Sequence, residues 1–172
     1  IHIMSTATFN AAANSVNAAF NFLNDGTFTS TGTLTFNGAN SQIFDPGSAT
    51  IGADIAITNS NGTVRLANNN LNIGANTVTL GVGSIFNLDG RNLTFSSTFS
   101  NDGTLQLQGT EAVTTNGTTL ITNDVNSGTW EYIGDGDIVA ETVTIKDFGA
   151  TDYFNLIIND SAATNIDTHS AG

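Results

Sequence analysis

The sequence predicts an all-β chain that folds as a three-sided parallel β-solenoid of about 21 residues per coil. Its apolar residues form short alternating triplets, such as Leu34-Thr35-Phe36 and Leu105-Gln106-Leu107, which place one row of side chains inside and one outside. Turn-forming pairs such as Asn37-Gly38 and Asp89-Gly90 separate the triplets. The triplets also recur at a nearly constant spacing, which is typical of stacked coils.

The composition favours strands and turns over helices. The 172 residues include 27 Thr, 23 Asn and 18 Gly. Thr is a strand former, whereas Asn and Gly favour turns. Hydrophobic residues make up 39% of the chain, which is enough for a core and argues against disorder.

The triplets form three interleaved series with steps of 20 to 23 residues. The first series begins at Leu34, Ile55, Val78, Phe99, Leu120 and Val143. The second begins at Ile43, Val64, Ile85, Leu105 and Val125. The third runs through Ile51, Ile73, Leu93 and Val113. Three short strands per repeat are what a three-sided coil needs, so each coil is expected to place its inward residues above those of the coil before it.

The alternative fold is an antiparallel β-sandwich of the adhesin type, which also has many strands and frequent turns. Sandwich strands usually run to about 5–6 residues, and triplets separated by turns fit the corners of a coil better.

Residues 1–172 are expected to form one solenoid domain, which is a segment of a longer chain or filament. Residues 1–23 are predicted to be an N-terminal cap or an irregular coil. A capping helix is suggested by the spacing of Val16, Ala19, Phe20 and Leu23, but the Asn residues between them are poor helix formers. The apolar stretch Tyr153–Ile158 is interpreted as a late coil or an edge strand.

The charge balance excludes several classes of partner. The net charge is −12, and the only basic side chains besides histidine are Arg65, Arg91 and Lys146. Nucleic acids require clustered Lys and Arg, so we expect no nucleic-acid partner. No apolar run approaches the roughly 18 residues of a membrane span, so we expect no membrane insertion. The chain has no Cys, which excludes thiolate zinc sites.

No catalytic constellation is recognisable, and we expect neither an enzyme nor an organic cofactor. The only histidines, His2 and His169, lie at the two ends of the chain, which excludes a histidine triad built from the body of the fold. With 15 acidic residues, an acid pair suited to glycoside hydrolysis is expected by chance. A polysaccharide-degrading enzyme and an ice-binding solenoid are therefore the less favoured readings.

The best candidate for a metal site is the stretch Gly134-Asp135-Gly136-Asp137. It half-matches the nonapeptide of calcium-binding β-rolls, which makes Asp135 and Asp137 candidate Ca²⁺ ligands. Ca²⁺ takes six to eight oxygen ligands, and one such turn supplies few. A plain acidic turn is the alternative.

The stretches 22–29 and 33–38, Phe-Leu-Asn-Asp-Gly-Thr-Phe-Thr and Thr-Leu-Thr-Phe-Asn-Gly, carry a family resemblance. They resemble the repeats of haemagglutinin-like and autotransporter-type β-helical adhesins, found in large bacterial surface and secreted proteins. The segment 152–159 is similar to a Tyr-Tyr-Asn-Leu-Thr-Ile-Asn element of such repeats. The resemblance implies a right-handed parallel β-helix, an extracellular location and a stalk or adhesive role, and it supplies no ligand residues.

From these observations we expect a structural, non-catalytic extracellular protein that forms a rod, stalk or filament on a bacterial cell surface. Its expected partner is itself, by end-to-end association. The alternative is an adhesin module that binds a glycan or a cell-surface protein.

Overall fold

The computed structural model describes residues 1–115, 118–119, 126–136, 142–146, 153–159 and 168–171. Within these residues the chain is all β and contains no helix, and its parallel strands stack as a solenoid. The predicted fold class is therefore confirmed. The described residues contain no helix long and apolar enough to cross a membrane.

The longest sheet, called the long face, contains eight parallel strands that follow one another from coil to coil. They are β1 His2–Ile3, β4 Phe22–Asn24, β7 Gln42–Asp45, β9 Thr63–Leu66, β12 Ile85–Asn87, β15 Thr104–Leu107, β18 Thr129–Tyr132 and β20 Asn155–Ile158.

The second face is built from two groups of parallel strands. They are β2 Thr8–Ala12 with β5 Thr27–Ser30, and β10 Leu71–Asn72 with β13 Leu93–Phe95 and β16 Val113–Thr115. The coil between the two groups has no regular strand on this face. There the N–H of Ile51 donates to the carbonyl of Asn72 at 2.8 Å, which links this coil to the next.

The third face is one five-stranded parallel sheet. Its strands are β3 Val16–Ala18, β6 Thr33–Phe36, β8 Asp54–Ile57, β11 Val78–Leu80 and β14 Phe99–Asn101. Two further pairs complete the described strands. The short β17, Thr118–Thr119, runs antiparallel to β16, and β19, Thr142–Ile145, pairs in parallel with β21, Thr168–Ala171.

From Leu34 to Phe99, the first predicted series matches the third face residue for residue. Leu34 pairs with Ile55, Ile55 with Val78, and Val78 with Phe99. Val143 does not continue this series, because its strand pairs with β21. Leu120 of this series and Val125 of the second lie outside the described residues.

The second series is wrong by one residue at two positions. Ile43 pairs with Arg65 and Ile85 with Thr63, so both isoleucines face outward. A shift of one residue moves a strand side chain to the opposite face. The inward residue that precedes Ile43 in β7 is Gln42, a buried amide that donates to the carbonyls of Ala18 and Phe20 at 2.7 Å each.

The third series is confirmed at one step and slips by two residues at another. Leu93 pairs with Val113 as predicted. Leu71, rather than Ile73, is the partner of Leu93, and the N–H of Ile73 donates to the carbonyl of Thr94. Side chains alternate with period two, so a slip of two residues does not change which side they face. Leu71 and Ile73 are accordingly both buried.

Residues 1–23 contain β1, β2 and β3, which pair with the strands of the next coil. The inward positions of this first coil include small residues, such as Ala11 and Ala18.

The core is a continuous column of inward Leu, Ile, Val and Phe side chains, most of them fully buried. Two aromatic groups reinforce it. Phe22 meets Phe28 and Phe44 edge-on, with ring centroids 5.2 and 5.8 Å apart. Further along, Trp130 packs edge-on between Phe99 and Tyr153, at 5.9 Å from each. Each buried large side chain stabilises the folded state by roughly 1.5–3 kcal/mol, so the column holds the coils together.

Candidate functional site

The outer surface of the long face carries a row of side chains, one per coil, that stack in register. The row consists of Ile43, Arg65, Asn87, Gln106, Glu131 and Ile157. Strands in a sheet lie about 4.8 Å apart, so this row spans about 24 Å along the solenoid axis.

Arg65 is held in place by a neighbouring carboxylate. Its Nη1 lies 2.6 Å from Oδ2 of Asp89, which follows β12 by two residues. The Oδ1 of Asn87 accepts a hydrogen bond from the Asp89 N–H at 2.7 Å. The guanidinium of Arg65 is therefore paired with a carboxylate of the next coil, which also lies 3.9 Å from Nη1 of Arg91.

The polar contacts continue along the same row toward the C-terminal coils. The Nε2 of Gln106 donates to Oε2 of Glu131 at 2.8 Å. The other carboxylate oxygen of Glu131 accepts from Nδ2 of Asn159, also at 2.8 Å. These side chains are thus ordered by each other, one coil to the next.

A shallow groove of about 530 Å³ runs along this surface, lined by Asn21, Ser41, Gln42, Ile43, Thr63, Arg65, Asn87 and Gln106. A second depression of about 280 Å³ shares Asn21 and Ser41 with it and extends past Phe20 to Ile1. The two depressions adjoin at these shared residues on the long face. This site was not predicted from the sequence, because the predicted register of Ile43 and Ile85 is wrong by one residue.

Of the two predicted Ca²⁺ ligands, only Asp135 lies within the described residues. Asp135 is exposed in a turn whose glycines, Gly134 and Gly136, both have positive φ. Asp137 lies outside the described residues. Within the part of the chain that is described, no three His, Cys, Asp or Glu side chains are close enough to hold a metal ion.

Asp45 is a buried acid at the corner after β7 that the sequence analysis did not identify. Its side chain accepts hydrogen bonds from Nδ2 of Asn68 at 2.6 Å, Nδ2 of Asn69 at 2.9 Å and the N–H of Gly47 at 3.0 Å. Burial raises the pKa of Asp45, but the bonds from Asn69, Asn68 and Gly47 together hold this pKa below its usual value. Through these hydrogen bonds, Asp45 links its own coil to Asn68 and Asn69 of the next coil.

A second buried polar cluster joins the C-terminal coils. Glu111 accepts from the N–H groups of Gly90, Gln108 and Gly109 at 2.7–2.9 Å, and the Nζ of Lys146 donates to the Glu111 carbonyl at 2.5 Å. Burial lowers the pKa of Lys146, and the charge of Glu111 partly restores it. The hydroxyl of Tyr132, whose pKa is raised by burial, accepts from the Lys146 N–H at 3.0 Å.

The C-terminal edge of the long face is apolar and exposed. In β20, Leu156 pairs with Trp130 and Ile158 with Tyr132, so both continue the inward rows. They are nevertheless 42% and 46% exposed, whereas Trp130 and Tyr132 are buried. Among the described residues, β20 is the last strand of the long face and no further strand pairs with its outer edge, which is called the open edge below.

No protein-family model, no curated protein and no solved structure matches this chain.

Proposed function

We propose that this chain is a structural, non-catalytic rod unit that associates end to end with copies of itself. The observation that supports this function is the open edge of β20, where the apolar inward row of the long face reaches the surface. A strand edge with unpaired N–H and C=O groups is a template for another strand.

The inward side chains of β20 are apolar, as are the core side chains that a further coil would place against them. Leu156 and Ile158 are two exposed apolar side chains on one side of the strand. Covering each of them would stabilise an added coil by up to about 1.5–3 kcal/mol. Main-chain hydrogen bonds along the four-residue strand add to this stabilisation and fix the register.

The first coil of a second copy fits this edge, because β1 forms the opposite edge of the same parallel sheet. Joining β1 of one copy to β20 of another is a head-to-tail contact, and such contacts generate open filaments unless the rotation closes a ring. Exposed Met4 and Ile1 beside β1 supply apolar surface at that end.

We place this rod outside a bacterial cell, as a surface stalk or filament. The resemblance of residues 22–38 to haemagglutinin-like and autotransporter-type repeats supports this location. The composition also supports it, since only 10% of the residues are charged and solubility depends on Thr, Asn and Ser side chains.

The experiment is sedimentation velocity of the purified chain at neutral pH over a range of concentrations. The wild-type chain should form species that grow with concentration. In the variant Ile158→Lys, the introduced charge lies on the inward row of the open edge. The association constant for assembly should therefore fall at least tenfold.

The matched control is Ile157→Lys. Ile157 is 45% exposed in the same strand, but it pairs with Glu131 and faces outward. Ile157→Lys should therefore assemble like the wild type. A wild-type chain that stays monomeric, or that stops at a closed dimer, contradicts the proposal, as does an equal loss of assembly in both variants.

A further inference from the structure

We propose that the groove on the long face binds a neutral polysaccharide, laid along the solenoid axis. This inference concerns a different surface from the open edge at β20 and does not depend on end-to-end association.

The groove offers polar groups at regular intervals. Arg65, Asn87 and Gln106 stand in one row, one coil apart, with Thr63 in the adjoining outward row. Successive coils are about 4.8 Å apart, so a linear ligand meets a polar side chain at each of these three steps. Amide and guanidinium groups offer paired donors or acceptors, which suit neighbouring hydroxyls on a sugar ring.

These polar groups are ordered before any ligand arrives. Arg65 is fixed by Asp89 at 2.6 Å, and Gln106 is fixed by Glu131 at 2.8 Å. Side chains that are already immobile lose little conformational entropy on binding. Apolar contacts for the faces of sugar rings come from Ile43 and, in the adjoining depression, from Phe20, which is 78% exposed.

The charge of the surface selects a neutral polymer. Among the described residues that line this groove, Arg65 is the only basic one, and its guanidinium is paired with Asp89, which also lies 3.9 Å from Arg91. The chain as a whole carries a net charge of −12, which repels nucleic acids and acidic polysaccharides.

An extended peptide fits this surface poorly. The backbone groups of β7, β9, β12 and β15 are paired with neighbouring strands of the sheet, so a peptide lying across the face could not add as a strand. Its own N–H and C=O groups would remain without regular partners, which is costly. A polysaccharide has no such main-chain requirement.

The experiment is native gel electrophoresis in gels that contain galactomannan, hydroxyethylcellulose or dextran, followed by titration calorimetry with the polymer that retards the chain. Polygalacturonate serves as the acidic comparison. The variant Ile158→Lys is used as the parent, so that end-to-end association does not mimic retention. At least one neutral polymer should retard this protein, and polygalacturonate should not.

Removing one amide from the groove, in Asn87→Ala or Gln106→Ala, should weaken binding at least tenfold. The matched control is Asn17→Ala, which removes an exposed outward amide from the third face. Thr63→Ala provides a third groove variant if Asn87→Ala unfolds at a lower temperature than its parent, because Asn87 also holds the Asp89 N–H. The inference is overturned if no neutral polymer retards the chain, if polygalacturonate binds more tightly, or if the groove variants bind like Asn17→Ala.

Discussion

The substitution Gly128→Ala tests how closely successive coils approach each other. Gly128 precedes β18 and has φ +76°, and a Cβ added there would lie 2.0 Å from the carbonyl oxygen of Asn101 in the preceding coil. Asn101 is itself buried, and its side chain bonds to the Gly103 N–H and the Thr129 carbonyl. It therefore has little room to move.

The matched control is Gly136→Ala. Gly136 has the same φ of +76°, but an added Cβ would meet no atom within 4 Å. Both substitutions place Ala in a left-handed conformation, which costs roughly 1–2 kcal/mol. Only Gly128→Ala adds the steric overlap, for which about 1–3 kcal/mol is typical in a packed interior. The difference between the two variants thus isolates the contact between coils.

Urea unfolding followed by fluorescence is the assay, because Trp130 is the chain's single tryptophan and is buried two residues after Gly128. For an m-value of about 2 kcal/mol/M, the extra overlap corresponds to a midpoint about 0.5–1.5 M lower in Gly128→Ala than in Gly136→Ala. Equal midpoints for the two variants would refute the close stacking of β14's coil on β18's coil.

Two further predictions concern the register of the long face and the buried acid. Phe44→Ala should lower the unfolding free energy by about 3–5 kcal/mol, whereas Ile43→Ala, on the outward side of the same strand, should change it by less than about 1 kcal/mol; a larger loss for Ile43→Ala would show that the register is wrong. The pKa of Asp45 lies below its usual 3.8 in the folded state, so its contribution to stability is present above that pH and is lost as the pH falls below it. In Asp45→Asn, urea midpoints measured from about pH 6 to about pH 2 should depend less on pH than in the wild type; an unchanged dependence would contradict this role.

The sequence predicted the third face because all but one of the inward positions of β6, β8, β11 and β14 are apolar, the exception being Asn101. Leu34, Ile55, Val78 and Phe99 each open a short alternating segment, so the repeat and the register agree. The register of the long face was harder to predict, because Gln42 occupies an inward position. Its amide is fully hydrogen-bonded inside the coil, and alternation of apolar residues alone cannot reveal a buried polar group that has found its partners.

The candidate site could be predicted only in part. The scarcity of basic residues and the placement of His2 and His169 excluded whole classes of chemistry. The groove depends on which residues of neighbouring coils share a row, and the misplaced register at Ile43 and Ile85 hid that row. The corner ligands of Asp45 come from residues 23 and 24 positions further along the chain, and local patterns do not report such contacts.

The most direct test of the proposed rod is electron cryo-microscopy of the wild-type chain at neutral pH. The structure and its open edge at β20 predict continuous fibres with an axial repeat near 4.8 Å, the spacing of parallel strands stacked along the solenoid axis. Discrete particles at concentrations where assembly is expected, or fibres whose strands run along the axis instead of across it, would contradict it.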